Sequence, residues 1–335
     1  MPTNTLPRIF ITGGSGFIGA RLAQVARELG YAVTVTAAVR NAAEKARCDI
    51  LAKSGIGVLV APLEDSAALT RALPGHDAVI HLAAAQHEAE QPESYFEQIN
   101  VTGTRRLLDL AAQAGIRRFV HGSTIGVYGS AAAGELDEDS ALAPDNPYGR
   151  TKAAAEGVVR ESAGKLEFCI IRISETYGPG DMRLLKLFKG IARGRYLTIG
   201  KGTNLHQLIY VDDLSRGLLA AVSSEAARGA TIILAGAEQI STNQMASLVA
   251  SAVDRSGRLH NVPLWPFTAA AGLFETICPP LGLKPPLHRR RLDFFRKSFR
   301  FSTARARNLL GFAPQVTFSD GARRTAAWYR ANGYL

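Results

Sequence analysis

The chain has 335 residues, 47% of them apolar and 20% charged, long enough to bury a large core and too apolar to stay disordered. Lys and Arg outnumber Asp and Glu by 39 to 29. That excess suits an anionic small molecule or an acidic membrane surface, but no aromatic-interleaved or helix-turn-helix pattern accompanies it, so no nucleic-acid partner is expected.

In chain order, residues 1–8 show no basic-then-apolar leader. Arg8 to Thr12 reads as a buried strand that runs into Gly13-Gly14-Ser15-Gly16-Phe17-Ile18-Gly19. A helix follows, with Ile18, Leu22, Val25 and Leu29 at three- and four-residue steps and Gly30 as its stop. Strand, glycine turn and helix N-terminus in that order make a pyrophosphate cradle: Gly13 permits the tight turn, Gly16 the close backbone approach, Gly19 the helix–strand packing. The second strand, about Ala32 to Val39, ends without the acid that would bind an adenosine ribose, and Arg40 stands beside it. NADP is therefore expected ahead of NAD.

Further strands are expected at Ile56 to Val60, Ala78 to Leu82 and Arg118 to Gly122. The fourth ends in Ala83-Ala84-Ala85, small enough to pass beneath a cofactor, and His81 within it reads as a packed core histidine. A helix around Asn100-Val101-Thr102-Gly103-Thr104 precedes the fifth. Strands alternating with helices predict an α/β fold with a doubly wound parallel sheet.

Ser123 and Thr124 stand at the carboxyl end of the fifth strand, where an open parallel sheet does its chemistry. Asn146 and Pro147 then cap and open a helix carrying Tyr148 and Lys152, one turn apart on one face. A free phenol has a pKa near 10, and a nearby ammonium should lower it toward the range where it can pass a proton. Thr124 would hydrogen-bond the substrate oxygen during hydride transfer.

These segments, with Arg172 to Asp181 and Tyr210 to Leu214, resemble the extended short-chain dehydrogenase/reductase family, which includes the nucleotide-sugar epimerases and dehydratases. The resemblance implies a Rossmann domain over residues 1–180, returning at about 205–235, and a smaller substrate-binding cap from 181–204 and 236–335. It implies Thr124, Tyr148 and Lys152 as catalytic residues with Ser123 beside them. It implies cofactor contacts from Gly13, Ser15, Gly16, Phe17, Ile18, Gly19, Arg40, Leu63, Ala83, Ala84, Ala85 and Asn100, and a homodimer by analogy.

Departures narrow the chemistry. Sugar-dehydrating members carry an Asp-Glu pair just after the strand-end threonine, and here those positions are Ile125 and Gly126. Plain hydride chemistry remains: a nucleotide-sugar 4-epimerase or 4-keto reductase. Glu175 and His206 stand where epimerases place diphosphate-holding residues, while Arg290 and Arg291 match a distal arginine region. The apolar Val262 to Leu283, broken by prolines, resembles the lid of steroid or other lipid-alcohol dehydrogenases in the same superfamily, so an NADP-dependent reductase of a hydrophobic alcohol or ketone is the alternative. A non-catalytic NADP sensor is disfavoured, since Tyr148 and Lys152 are both present. No apolar run reaches the roughly 18 residues of a membrane span, and Cys48, Cys169 and Cys278 stand singly without metal-ligand spacing. A cytoplasmic protein without a metal is expected, with peripheral membrane contact left open.

Overall fold

A computed structural model describes residues 6–86, 91–129, 134–256, 260–278 and 297–335, together with 280, 283, 292 and 295. Its centre is a seven-stranded sheet. Strands β1 (Arg8–Thr12), β2 (Ala32–Ala37), β3 (Gly57–Val60), β4 (Ala78–His81) and β5 (Arg118–Thr124) lie in the order 3-2-1-4-5. Strand Glu167–Ile173 then pairs with β5, and Thr231–Leu234 forms the far edge. Every pairing is parallel.

The strands read as apolar runs because helices cover both faces. One face packs Leu22, Val25, Leu214 and Leu218 against Ile9 and Ile11. The other packs Leu107, Val158 and Val159 against Phe10, Val79 and Phe119. A separate cluster joins Tyr177, Phe188, Met245, Val249 and Tyr329 outside the sheet. There helix Thr242–Ala252 begins with a reciprocal Ser241–Gln244 capping box.

The order in which strands are added reverses between β1 and β4, which opens a crevice at the carboxyl ends of these strands. Four expected boundaries move: β2 stops at Ala37, β3 starts at Gly57, β4 stops at His81, and β5 continues two residues further, to Thr124. Helix α1 (Phe17–Glu28) ends before Leu29, which is exposed rather than on the core face, and Gly30 makes the stop with φ +91°. The three cysteines are buried and unpaired. No described helix is long and apolar enough to cross a membrane.

Candidate active site

The glycine turn is shaped by close approach. Gly13 has φ +78°, and a Cβ there would lie 2.9 Å from the Ala83 amide nitrogen; one on Gly19 would collide with the Gly13 carbonyl oxygen. Gly16 starts α1 with no side-chain cap and no acid in the first turn. Its leading N–H groups and positive dipole end therefore suit a pyrophosphate. The Ser15 carbonyl accepts from Arg47 Nε at 2.5 Å, and the Arg40 amide donates to Glu44 Oε2 at 2.7 Å. Arg40 and Arg47 thus stand beside the end of β2 and the glycine turn. Ile18 packs on the sheet core, Phe17 lies against Gly180, and buried Leu63 lies against Gly103.

A buried hydrogen-bond chain holds the floor of this crevice. Thr12 Oγ1 accepts from the Leu82 and Ala83 amides, which leaves its proton for His81 Nδ1 at 2.7 Å. His81 Nε2 then donates to Thr104 Oγ1 at 3.0 Å, and Thr104 donates to the Asn100 carbonyl. Burial and the Lys152 charge push the His81 pKa down to about 3, so it is a neutral core residue. Asn100 sits in a π-turn, Gln98–Thr102. Its side chain bonds both the N–H and the C=O of Ala85, and donates to Thr151 Oγ1. The alanine tail of β4, with Ala84 between its anchored neighbours, is thereby fixed to the Tyr148 helix.

That helix, Pro147–Glu161, is capped by Asn146 accepting from the Gly149 amide at 3.0 Å, with Pro147 at its start. Tyr148, Lys152 and Glu156 fall at successive i+4 steps and meet β5 in turn. The Tyr148 side chain comes up to Thr124, whose Oγ1 accepts from the Gly126 amide at 3.0 Å. Lys152 Nζ donates to His121 Nε2 at 3.2 Å. Glu156 accepts from Ser123 Oγ at 2.6 Å and from Arg172 through Nε and a second guanidinium nitrogen. Ser123 thus faces a structural ion pair, and Thr124 alone of the two hydroxyls meets the tyrosine.

The expected lowering of the Tyr148 pKa by Lys152 does not occur in this arrangement. Burial raises it to about 12, against the opposing pull of Thr124 and the Arg183 charge. Lys152 is turned to His121, and burial lowers its own pKa to about 8 despite Glu156.

On the substrate side, His206 Nδ1 lies 3.5 Å from Glu175 Oε2. Burial works against the Glu175 carboxylate, but His206 and Arg183 outweigh it and hold its pKa below the usual value. The two residues expected to handle substrate are therefore paired with each other. Arg290 and Arg291 lie outside the described residues.

The family model for the NAD dependent epimerase/dehydratase family matches residues 9–236. The chain belongs to this family. Members are NAD-dependent enzymes, and low-identity relatives among the nucleotide-sugar epimerases and dehydratases span nearly the whole chain. A dTDP-glucose 4,6-dehydratase of Streptomyces niveus is 28% identical, covering 97% of this chain and 93% of its own. A 4-epimerase of Escherichia coli O157:H7, for N-acetyl-alpha-D-glucosaminyl-diphospho-ditrans,octacis-undecaprenol, is 26% identical over 95% of this chain and 93% of its own. Among solved structures, the UDP-glucuronic acid 4-epimerase of Bacillus cereus in complex with NAD shares the fold, with TM-score 0.78, 23% identity and coverage of 98% and 100%. A double mutant of the dTDP-glucose 4,6-dehydratase DesIV of Streptomyces venezuelae, with NAD and DAU bound, has TM-score 0.76 and 27% identity, with 97% of each chain covered.

Sequence reading missed His121, Glu156 and Arg172 in this member of the family. Arginine inside the apolar run Phe-Cys-Ile-Ile-Arg-Ile is a signal for a buried carboxylate, and Glu156 continues the Tyr148–Lys152 spacing. Tyr128, in the Val-Tyr-Gly motif, serves the same cluster: its hydroxyl donates to the Asp137 carbonyl and accepts from Arg172 at 2.7 Å.

Proposed function

We propose that this chain catalyses hydride chemistry at a carbinol carbon of a nucleotide-linked sugar, as a 4-epimerase or 4-keto reductase. The meeting of Thr124 and Tyr148 at the carboxyl end of β5 carries the reading, because it sets a proton-passing pair beside a dinucleotide cradle. When bound, the nicotinamide supplies the hydride acceptor and donor. Thr124 orients the substrate hydroxyl, Tyr148 takes or returns its proton, and Lys152 holds the nicotinamide ribose. Ile125 and Gly126 offer no acid–base pair for loss of water, so the dehydratase relatives lend their scaffold but not that step. The E. coli relative's name supports 4-epimerisation.

Residues 1–180 and about 205–235 would hold the cofactor, and the remainder would close over the sugar. We assign NADP ahead of NAD, because β2 ends without a carboxylate while Arg40 and Arg47 stand beside its end and the glycine turn. The relatives crystallised with NAD make this a feature to test in this chain. A cytoplasmic homodimer completes the reading.

One observation favours a hydrophobic alcohol or ketone instead: Glu175 brings a carboxylate to a position where a diphosphate would be repelled. Tyr148→Phe is the test of the catalytic assignment. It should lower turnover of a UDP-sugar panel by about 10²–10⁴-fold and leave NADP and NAD affinity, read by titration calorimetry, unchanged. Turnover equal to wild type refutes the assignment. Activity confined to apolar ketones selects the second reading.

A further inference from the structure

Lys152 is buried, and among the described residues its ammonium makes one hydrogen bond, to His121 Nε2 at 3.2 Å. An ammonium taken out of water needs an acceptor, and the other candidates near it are committed. Glu156 receives Ser123, Arg160 and Arg172, and the Ser123 hydroxyl donates to that same carboxylate. His121 is the acceptor that β5 leaves for the lysine. Because an ammonium only donates, Nε2 accepts and the imidazole proton stands on Nδ1. That nitrogen is buried without a partner among the described residues. His81 lies across from His121 on β4, with ring centroids 5.4 Å apart. It cannot serve Nδ1, since both its own nitrogens are engaged with Thr12 and Thr104. The Lys152–His121 contact therefore carries the cost of an orphaned donor.

Its place along the strand matters as well. His121 lies three residues back from Thr124 within β5, about 10 Å of extended chain. The ammonium is thus held toward the interior of the sheet, whereas a dinucleotide lies at the carboxyl ends of the strands. Lysine has a flexible four-carbon stem, so the same ammonium can leave one place for the other.

We propose that His121 is a positioning residue that docks Lys152 while the nucleotide site is empty, and that the lysine leaves His121 for the nicotinamide ribose when the site fills. This rests on the reading of Lys152 as the ribose-holding residue. The dock stabilises the empty protein alone. It therefore weakens dinucleotide binding and leaves untouched a ligand that fills only the adenosine half.

Titration calorimetry of the full chain with NAD, NADP and ADP tests this. His121→Phe should bind the dinucleotides about tenfold more tightly and ADP as the wild type does. His121→Asn, which keeps an acceptor, should return the dinucleotide affinity to its wild-type value. Imidazole nitrogen NMR of the wild type should show His121 protonated on Nδ1 in the empty protein, its signals being those lost in His121→Asn. They should move with saturating dinucleotide and stay in place with ADP. Dinucleotide affinity unchanged or weakened in a folded His121→Phe, an equal gain for ADP, or His121 signals that dinucleotide does not move would each overturn the proposal. Should the Phe variant not fold, the wild-type spectra decide. Failure of the catalytic reading looks different: sugars are not turned over, while the dinucleotide and ADP affinities of His121→Phe still separate.

Discussion

Replacing Glu156 by Gln removes the buried carboxylate that is paired with Arg172. Arg172 and Glu156 are essentially inaccessible, and the carboxylate also receives Ser123 and the half-exposed Arg160. Glutamine keeps the shape and some hydrogen bonds but leaves a guanidinium in low dielectric, a loss of about 3–5 kcal/mol. The Arg160 contact adds little, because water screens it. Unfolding entropy of about 2.1 cal/mol/K per residue makes roughly 0.7 kcal/mol/K for a chain of 335 residues. The melting temperature should therefore fall by about 4–7 °C. Burial opposes the Glu156 charge, but Arg172 and Ser123 hold its folded pKa below the ordinary 4.5. Its contribution is full above that unfolded value and disappears as pH falls through the folded one, so wild type and variant should converge in acid. Urea melts from neutral to acid pH measure both effects. A loss under about 1 kcal/mol, the size of an exposed pair, or a gap that persists in acid refutes the reasoning. A double replacement of Glu156 and Arg172 by methionine should recover much of the stability.

Four further outcomes are expected. Gly19→Ala puts a methyl into the Gly13 carbonyl and should cost about 1–3 kcal/mol of stability while abolishing nucleotide binding in titration. Gly157→Ala, whose Cβ meets open space in the Tyr148 helix, should stabilise by about 0.5–1 kcal/mol; a loss there would deny that the glycine is free of contacts. His121→Phe removes the acceptor for Lys152 Nζ. The lysine limb of the kcat/KM profile should then move below its wild-type position near pH 8, where His81, Glu156 and Arg160 remain as neighbours. His121→Asn, which can still accept, should restore the limb, and an unmoved limb in the Phe variant counts against the contact. Charge-neutral replacement of Arg40 and Arg47 together should reduce NADP affinity more than NAD affinity; equal loss for both nucleotides argues against a 2′-phosphate role.

Local chemistry made much of this fold readable. Gly13 and Gly19 report backbone approaches that no other residue allows, and Asn146-Pro147 marks a helix start regardless of tertiary context. The alternation of apolar runs with helical periods predicts a parallel sheet, although the strand ends shift by a residue or two where pairing partners outlast local preference, as at Thr124. Side-chain direction was less accessible. Ser123 and Thr124 are adjacent in sequence, but the pleat and the strand end give them different neighbours, so one closes an ion pair and the other meets Tyr148. Lys152 could be placed on the tyrosine's face by spacing alone. That it turns to His121 depends on a residue 31 positions away across the sheet. The Glu175–His206 pairing has the same long-range origin.

The edge strand Thr231–Leu234 closes the sheet against Glu167–Ile173, and this order has a consequence during synthesis. About 60 residues separate the two strands, which at roughly 5–20 residues per second leaves the inner one bare for about 3–12 s on the ribosome. A bare strand of Phe, Cys and Ile invites pairing with other nascent chains. Arg172 sits within it, and until its carboxylate partner is locked in place its charge acts as a gatekeeper against such pairing. The residue that anchors the finished core would thus first protect the unfinished one.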